Sequence, residues 1–445
     1  MVKTFKGGLH VDAAKNTSNS PIETFPAPAT VAIPLQQHIG APAQPLVKKG
    51  DPVAVGQTIG RFDAGLSCPV HASVSGTVKD IEMRPAANGV GKTAFVVIEN
   101  DGLNTLSDEV KPYDGDPFTA DAETIIERVK NAGISGMGGA AFPTYAKIQS
   151  GIGKAKQVII NCAECEPYIT ANHRLMLEEP ERITGGAKIL ARALGVEKII
   201  FAIEDNKPDA AETLEKATQG ETGTEVVRLK TKYPQGDERQ LIFAIDGVEL
   251  PAGKLPADVG SVIFNAETAA HVHSAMTTGM PLVSRVVTVD GDAIERSANL
   301  RVPIGTSYAD IFEYLGGTKE SFTRLINGGP MMGQAQWSLA GVVTKSTSAL
   351  LVLSDEKQPE APSCIHCGRC VSVCPMHLMP SYLAAFSKAE DEENAEKYGI
   401  LSCVECGCCT YICPARVPIV QHIRNTKASI QLKRKKMAAA AAGKM

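Results

Sequence analysis

Two cysteine runs near the C-terminus carry the plainest chemistry: Cys364-Ile-His-Cys367-Gly-Arg-Cys370-Val-Ser-Val-Cys374-Pro375 and Cys403-Val-Glu-Cys406-Gly-Cys-Cys409-Thr-Tyr-Ile-Cys413-Pro414. Each has the C-x2-C-x2-C-x3-C-P spacing that wraps a cubane iron–sulfur cluster, with the fourth cysteine turned toward the neighbouring cluster. The pair therefore predicts two [4Fe–4S] clusters. Cys364, Cys367, Cys370 and Cys413 would ligate one, and Cys403, Cys406, Cys409 and Cys374 the other. Cysteine can also build a disulfide framework or a structural zinc site, but four ligands per run ending in Cys-Pro favour clusters. Such clusters move single electrons, so the remaining chain must supply a source or a sink for them.

A second candidate site begins at the loop Gly133-Ile-Ser-Gly136-Met-Gly138-Gly139-Ala140-Ala-Phe142-Pro143-Thr-Tyr-Ala-Lys147. Glycines let backbone N–H groups approach a phosphate, and the helix that follows offers its positive end. Three further segments sit where strands end: Asn161-Cys-Ala-Glu164-Cys-Glu166-Pro167, Tyr233-Pro-Gln-Gly236-Asp237-Glu238 and Asn265-Ala-Glu267-Thr268. Lys147, Glu164 and Glu166 put charged side chains on these loops. No Ser/His/Asp arrangement accompanies them.

The elements that must position these residues are legible from pattern. Between residues 119 and 279, apolar strand runs such as Gln157-Val-Ile-Ile-Asn alternate with helical spacings, which predicts a largely parallel sheet with ligands at its carboxyl ends. Residues 1–46 are rich in Pro and Gly and read as an arm lying over other parts of the chain. Residues 47–118 alternate Val and Ile between turns and read as a half-barrel resembling biotinyl and lipoyl carriers. No lysine lies between Arg61 and Val78, so a swinging-arm role is not expected. Residues 280–353 read as a β-grasp module serving as a structural spacer, 354–362 as a linker, 363–430 as a helical ferredoxin-like domain, and 431–445 as a basic and alanine-rich tail. The tail is either a solvated helix end or a contact for anionic lipid.

The loops resemble the NADH-oxidising flavoprotein subunits of respiratory complex I, whose Gly-x-Gly-Gly-Ala-Gly-Phe-Pro loop holds FMN and NADH. Gly136, Gly138, Gly139, Ala140, Phe142 and Lys147 match that family, with Ala141 in place of one glycine. Asn161, Glu164 and Glu166 match its Asn-x-x-Glu-x-Glu-Pro segment. The resemblance implies that Asn161 and Glu164 face the flavin and Glu166 the nicotinamide nucleotide. Tyr233, Gly236, Asp237 and Glu238 match its Tyr-x-x-Gly-Glu-Glu with one Asp for Glu, and Asn265 keeps one of two adjacent asparagines. The order of parts, from Gly7-Gly8-Leu9-His10 through half-barrel, flavin domain, β-grasp and twin runs, resembles the C subunits of Rnf complexes. The implied architecture is multidomain α/β plus β: barrel-sandwich hybrid, Rossmann-like FMN/NADH domain, SLBB-like β-grasp module and a two-cluster domain. The implied activity is ferredoxin:NAD⁺ oxidoreduction coupled to Na⁺ or H⁺ translocation, with FMN, NAD(H) and two [4Fe–4S] clusters as cofactors. Partners would be the membrane and iron–sulfur subunits and, indirectly, ferredoxin, at the cytoplasmic face of the membrane. A cobalamin reductase of diol-degrading microcompartments and a non-enzymatic electron-transfer adaptor are the alternatives.

Composition agrees with a reducing compartment and a globular chain. At 445 residues the chain has room for several domains. A net charge of −4 gives no reason to expect nucleic acid. No run reaches the roughly 18 apolar residues that span a bilayer, and the N-terminus lacks a signal-type apolar stretch. His271 and His273 read as helix-packing residues, since no third ligand accompanies them. Cys162 and Cys165 read as small buried thiols lining the site, with a redox or metal role as the alternative, and Cys408 as a bystander.

Overall fold

In the computed structural model the described residues are 2–86, 91–139, 141–354 and 363–442, with side chains to Met437 in the last helix. The expected linker falls almost wholly outside them, as does Ala140.

The centre is a four-stranded parallel sheet in the order Thr224–Leu229, Lys198–Glu204, Gln157–Cys162, Ser261–Asn265. Successive side chains on a strand point to opposite faces, and here both faces are covered. Val158 and Ile160 pack with helices Pro180–Leu194 and Ala266–Thr277, while Ile159 packs under helix Glu238–Asp246. That double burial is why the strand reads as an unbroken apolar run. Helix Pro180–Leu194 starts with Pro180 in its first turn and stops at Gly195 in the left-handed conformation.

Among the helices that begin at the carboxyl end of this sheet are Thr144–Gly151 after the glycine loop, Glu238–Asp246 on the N-cap of Asp237, and Ala266–Thr277 on the N-cap of Asn265. Their N–H ends point to one side of the molecule, which makes that side favourable to an anion.

The half-barrel is a four-stranded sheet, Thr30–Pro34, Lys92–Asn100, Gly76–Pro85 and Pro52–Val53, facing a three-stranded one, Gln44–Pro45, Thr58–Arg61 and Val70–His71. Its first strand therefore lies inside the Pro-rich stretch that the sequence suggests is arm. The rest of the stretch behaves as an arm: Ile22–Thr24 adds a parallel strand beside Ala298–Pro303 of the β-grasp sheet. Lys3 bridges Leu229, and Leu9 bridges Tyr233, at the carboxyl end of the parallel sheet. Helices Pro380–Lys388 and Ile419–Ala442 pack together in the cysteine-rich unit. The basic tail continues that helix, with Lys433 and Arg434 paired to Glu392 and Glu396 of helix Glu392–Lys397.

Candidate functional site

The glycine loop folds back on itself, Gly136 N donating to Phe142 O at 2.8 Å. A Cβ on Gly138 would lie 2.9 Å from Asn265 Nδ2, whereas Gly139 has open space beside it. Asn161 Nδ2 donates to Gly236 O at 2.8 Å. Lys147 Nζ reaches Glu238 Oε1 at 2.5 Å and Ile263 O at 3.0 Å. Gly136, Gly138, Gly139, Lys147, Asn161, Gly236, Glu238 and Asn265 thus converge from four loops on one cradle at the positive ends of three helices. Phe142 stands exposed at its rim.

The other expected site residues have different surroundings. Glu164 accepts from Asn172 N at 2.6 Å and His173 N at 3.1 Å, capping helix Ala171–Glu178, and lines a polar cavity with Lys15, His173, Lys207 and Asp209. Asp237 accepts from Arg239 N and Gln240 N, and burial raises its pKa above the ordinary carboxylate value. Glu166 accepts from Met331 N at 3.1 Å and Met332 N at 2.9 Å, and burial likewise raises its pKa. Tyr233, 1% exposed, donates to Cys406 O at 2.8 Å. Cys165 Sγ accepts from Gly236 N at 3.4 Å, and burial pushes both Cys162 and Cys165 well above the usual thiol range.

Three cations from outside the parallel-sheet unit hold these loops, Lys345 and Arg285 buried and Lys15 half-buried, and no local sequence pattern marks them. Lys15 Nζ, from the arm, donates to the carbonyls of Glu164, Glu166 and Ile169 at 2.8, 2.8 and 2.5 Å. Burial lowers its pKa to about 8, and the three acceptors match the three hydrogens of a protonated amine. Lys345 Nζ donates to Gly133 O and Pro69 O, each at 2.7 Å. Arg285 pairs with Glu267 at 2.9 Å and also approaches Met137 O at 3.4 Å. Lys345 and Arg285 belong to the β-grasp unit, which is therefore more than the spacer expected from its composition. Glu267 of the Asn-x-Glu-Thr segment serves this joint, and Thr268 Oγ1 accepts from Met137 N at 3.1 Å.

Ala141 has φ +51°, the left-handed region. That conformation costs an L-residue about 1–2 kcal/mol, and glycine avoids the cost. Ala141→Gly is expected to raise the unfolding free energy by about 0.5–1 kcal/mol in denaturant titration. An unchanged or lower value would show that the loop relaxes around the methyl group.

The second cysteine run lies directly against this end of the sheet. Cys374, Cys403, Cys406, Cys408 and Cys409 line one cavity, otherwise walled by side chains such as Leu378, Leu383, Val404 and Ile423. Cys374 comes from the first run, so the cavity collects four cysteines of one run, Cys408 among them, and the last of the other. Among the described residues no three His, Cys, Asp or Glu side chains close on a single metal ion. A cluster, with four irons between its thiolates, needs them farther apart. Cys364 and Cys367 are exposed, Cys370 is buried and Cys413 half-buried, so the remaining four stand nearer the surface. Cys408, between two ligand positions, is buried with its Sγ 3.9 Å from Tyr233 O. His271 is buried in its helix, and His273 packs on Gly185.

Four family models match successive parts of the chain. Residues 3–103 match the RnfC barrel sandwich hybrid domain, 129–274 the Nuo51 FMN-binding domain, 286–335 the SLBB domain and 363–417 the 4Fe-4S dicluster domain. The C subunit of the Na(+)-translocating ferredoxin:NAD(+) oxidoreductase complex of Acetobacterium woodii is 46% identical over 97% of this chain and 98% of its own length. The proton-translocating counterpart of Clostridium ljungdahlii is 45% identical over 96% and 94%. The C subunit of the ion-translocating oxidoreductase complex of Rhodobacter capsulatus is 43% identical over 96% and 83%. With cradle, cysteine cavity and full-length likeness in agreement, the chain belongs to the family of C subunits of ion-translocating ferredoxin:NAD⁺ oxidoreductase (Rnf) complexes.

Proposed function

We propose that this chain passes electrons between NAD(H) and partner subunits of an Rnf complex through FMN and two [4Fe–4S] clusters. The observation that carries the reading is the 2.8 Å hydrogen bond from Tyr233 to the Cys406 carbonyl, which joins the cradle's own loop to the wall of the cysteine cavity. When bound, FMN exchanges a hydride with NAD(H) and single electrons with clusters, the conversion such a chain needs.

The residues fit FMN in a Rossmann-like unit. Gly136, Gly138 and Gly139 bare the backbone, the N-termini of three helices favour a phosphate, and Lys147 brings an ammonium group that pairs with Glu238. Asn161, Glu238 and Asn265 offer polar groups for orienting a ring and its tail, with Asn161 held by Gly236 O. Phe142, exposed at the rim, has a free apolar face for a nucleotide base. Cys403, Cys406, Cys409 and Cys374 would hold the inner cluster, and Cys364, Cys367, Cys370 and Cys413 the outer. Cys364 and Cys367 of the outer set face solvent, and that side is where a partner's redox centre would approach. No helix among the described residues is long and apolar enough to cross a membrane. We assign the chain a peripheral position on the cytoplasmic face, with ion translocation belonging to membrane partners.

The reading is tested with the full chain after cluster reconstitution. It should take up one FMN, and NADH should bleach that flavin under anaerobic conditions before the clusters are reduced. A chain that carries clusters, retains no FMN and does not respond to NADH is an electron-transfer adaptor instead.

A further inference from the structure

Glu166 is where three separate units meet. Its Oε1 accepts from Met332 N at 2.9 Å, and its Oε2 accepts from Met331 N at 3.1 Å. Both amides belong to the segment Gly328–Gly333 of the β-grasp unit, far in sequence from the carboxylate. Gly329 packs so closely that a Cβ there would fall 2.1 Å from Oε2. The same segment touches the second cysteine run on its other side, where a Cβ on Gly407 would lie 3.0 Å from Met331 O.

Tyr233 completes the joint. Its hydroxyl lies 3.3 Å from Glu166 Oε1 and 2.8 Å from Cys406 O. A phenol has one hydrogen to donate. It goes to the nearer Cys406 carbonyl, and Glu166 Oε1 lies beside the hydroxyl at the longer distance. Leu9, Tyr233, Cys406 and Cys408 form an apolar knot around this point, with Met331 packed against it. The arm closes the far side: Gly8 N donates to Val373 O at 2.8 Å, and a Cβ on Gly7 would lie 2.8 Å from Cys374 O. Both oxygens of Glu166 are therefore engaged within the protein, and a nucleotide reaching for them would compete with two backbone amides.

We propose that Glu166 is a positioning residue that fixes the inner cysteine cavity at its distance from the cradle, by fastening the Gly328–Gly333 segment and, with Tyr233, the Cys406 turn. The proposal gives Glu166 a different task from the nucleotide contact that family resemblance implies. Its effect on electron delivery rests on the proposed function, whereas its effect on the joint does not.

Glu166→Ala is the direct test, in the full chain with reconstituted clusters and FMN. Amide hydrogen exchange at residues 328–333 and 406–407 should accelerate about tenfold or more, with or without FMN. The inner cluster's electron paramagnetic resonance signal should shift or broaden under dithionite, which requires neither flavin nor NADH. With FMN present, kcat for NADH-driven reduction of a one-electron acceptor should fall about tenfold to a hundredfold, as loosening by ~1 Å can do, while KM for NADH stays within about twofold. Glu166→Gln, which keeps one acceptor oxygen, should recover part of each loss. A rise of about tenfold in KM, with exchange and resonance unchanged, would make Glu166 a nucleotide ligand and overturn the proposal. Should Glu166→Ala fail to fold, Gly329→Ala displaces the same segment without touching a cradle residue and should reproduce the exchange and resonance changes. Their absence in that variant would equally sink the idea. Loss of NADH response in the parent protein, with the exchange result intact, would refute the flavin reading and spare this one.

Discussion

Cys374→Ala is expected to empty the cluster site built on Cys403, Cys406 and Cys409 and to leave the run from Cys364 to Cys370 loaded. The reason is spatial. Cys374 is four residues from Cys370 in sequence, yet it lines the cavity of the other run. After Cys370 the short helix Arg369–Ser372 ends, and the chain turns at Cys374-Pro375 so that Cys374 Sγ accepts from Leu378 N at 3.4 Å. Three thiolates from one run leave one iron short of its ligand, and the apolar wall offers no replacement oxygen or nitrogen; Cys408 also lines the cavity, but its Sγ is turned to Tyr233 O at 3.9 Å. The variant should lose about half its iron, roughly four of eight atoms, and one of two reduced-cluster resonance signals. NADH should still bleach the flavin, because the cradle is untouched. Delivery to an external one-electron acceptor should fall close to zero, since the inner cluster lies between cradle and surface in the proposed path. Loss of the outer cluster with the inner one retained would overturn the crossed assignment.

Glu267→Gln should lower stability by about 3–5 kcal/mol, the usual consequence of removing one partner from a buried ion pair. Both side chains are 2% exposed. Glu267 Oε1 also accepts from Val286 N at 2.7 Å, and Arg285 Nη1 donates to Lys345 O at 2.7 Å. With a neutral amide at 267, the guanidinium keeps its charge in an apolar joint with one fewer acceptor, and the amide's own N–H groups face it. Because the pair sits behind Met137 of the glycine loop, flavin affinity should weaken as well. The double variant Glu267→Leu with Arg285→Met should regain most of the loss in denaturant titration, since an apolar pair removes the stranded charge. A Glu267→Gln protein within about 1 kcal/mol of the parent would show that water reaches Arg285 and that the joint is looser than its burial indicates.

What could be read from the sequence was whatever local spacing encodes. A cluster-binding run must place three thiolates within a few residues, so Cys364 to Cys370 and Cys403 to Cys409 declare themselves. A strand buried on both faces must be apolar at every position, so Gln157–Cys162 stands out, and Gly195 marks a helix end because only a left-handed residue closes it there. The cradle was legible to the extent that its residues follow strand ends and open helices, as Asn265 and Asp237 do. The surroundings of Glu164 and Glu166 were not, since a loop glutamate has the same letter whether it faces a ligand, caps a helix or binds amides about 165 residues away.

Lys15, Lys345 and Arg285 were invisible for a related reason: their acceptors include backbone carbonyls, which every residue carries, brought near only by folding. The sequence by itself determined the kind of chemistry, the order of units and most cradle residues, because those depend on side-chain type at short spacing. The tertiary structure alone decided which cysteine set lies inward, what Glu166 and Tyr233 hold, and that the arm and β-grasp unit brace the cradle. Those facts depend on long-range packing, where the partner of a charge or an amide is set by which surfaces the fold brings together.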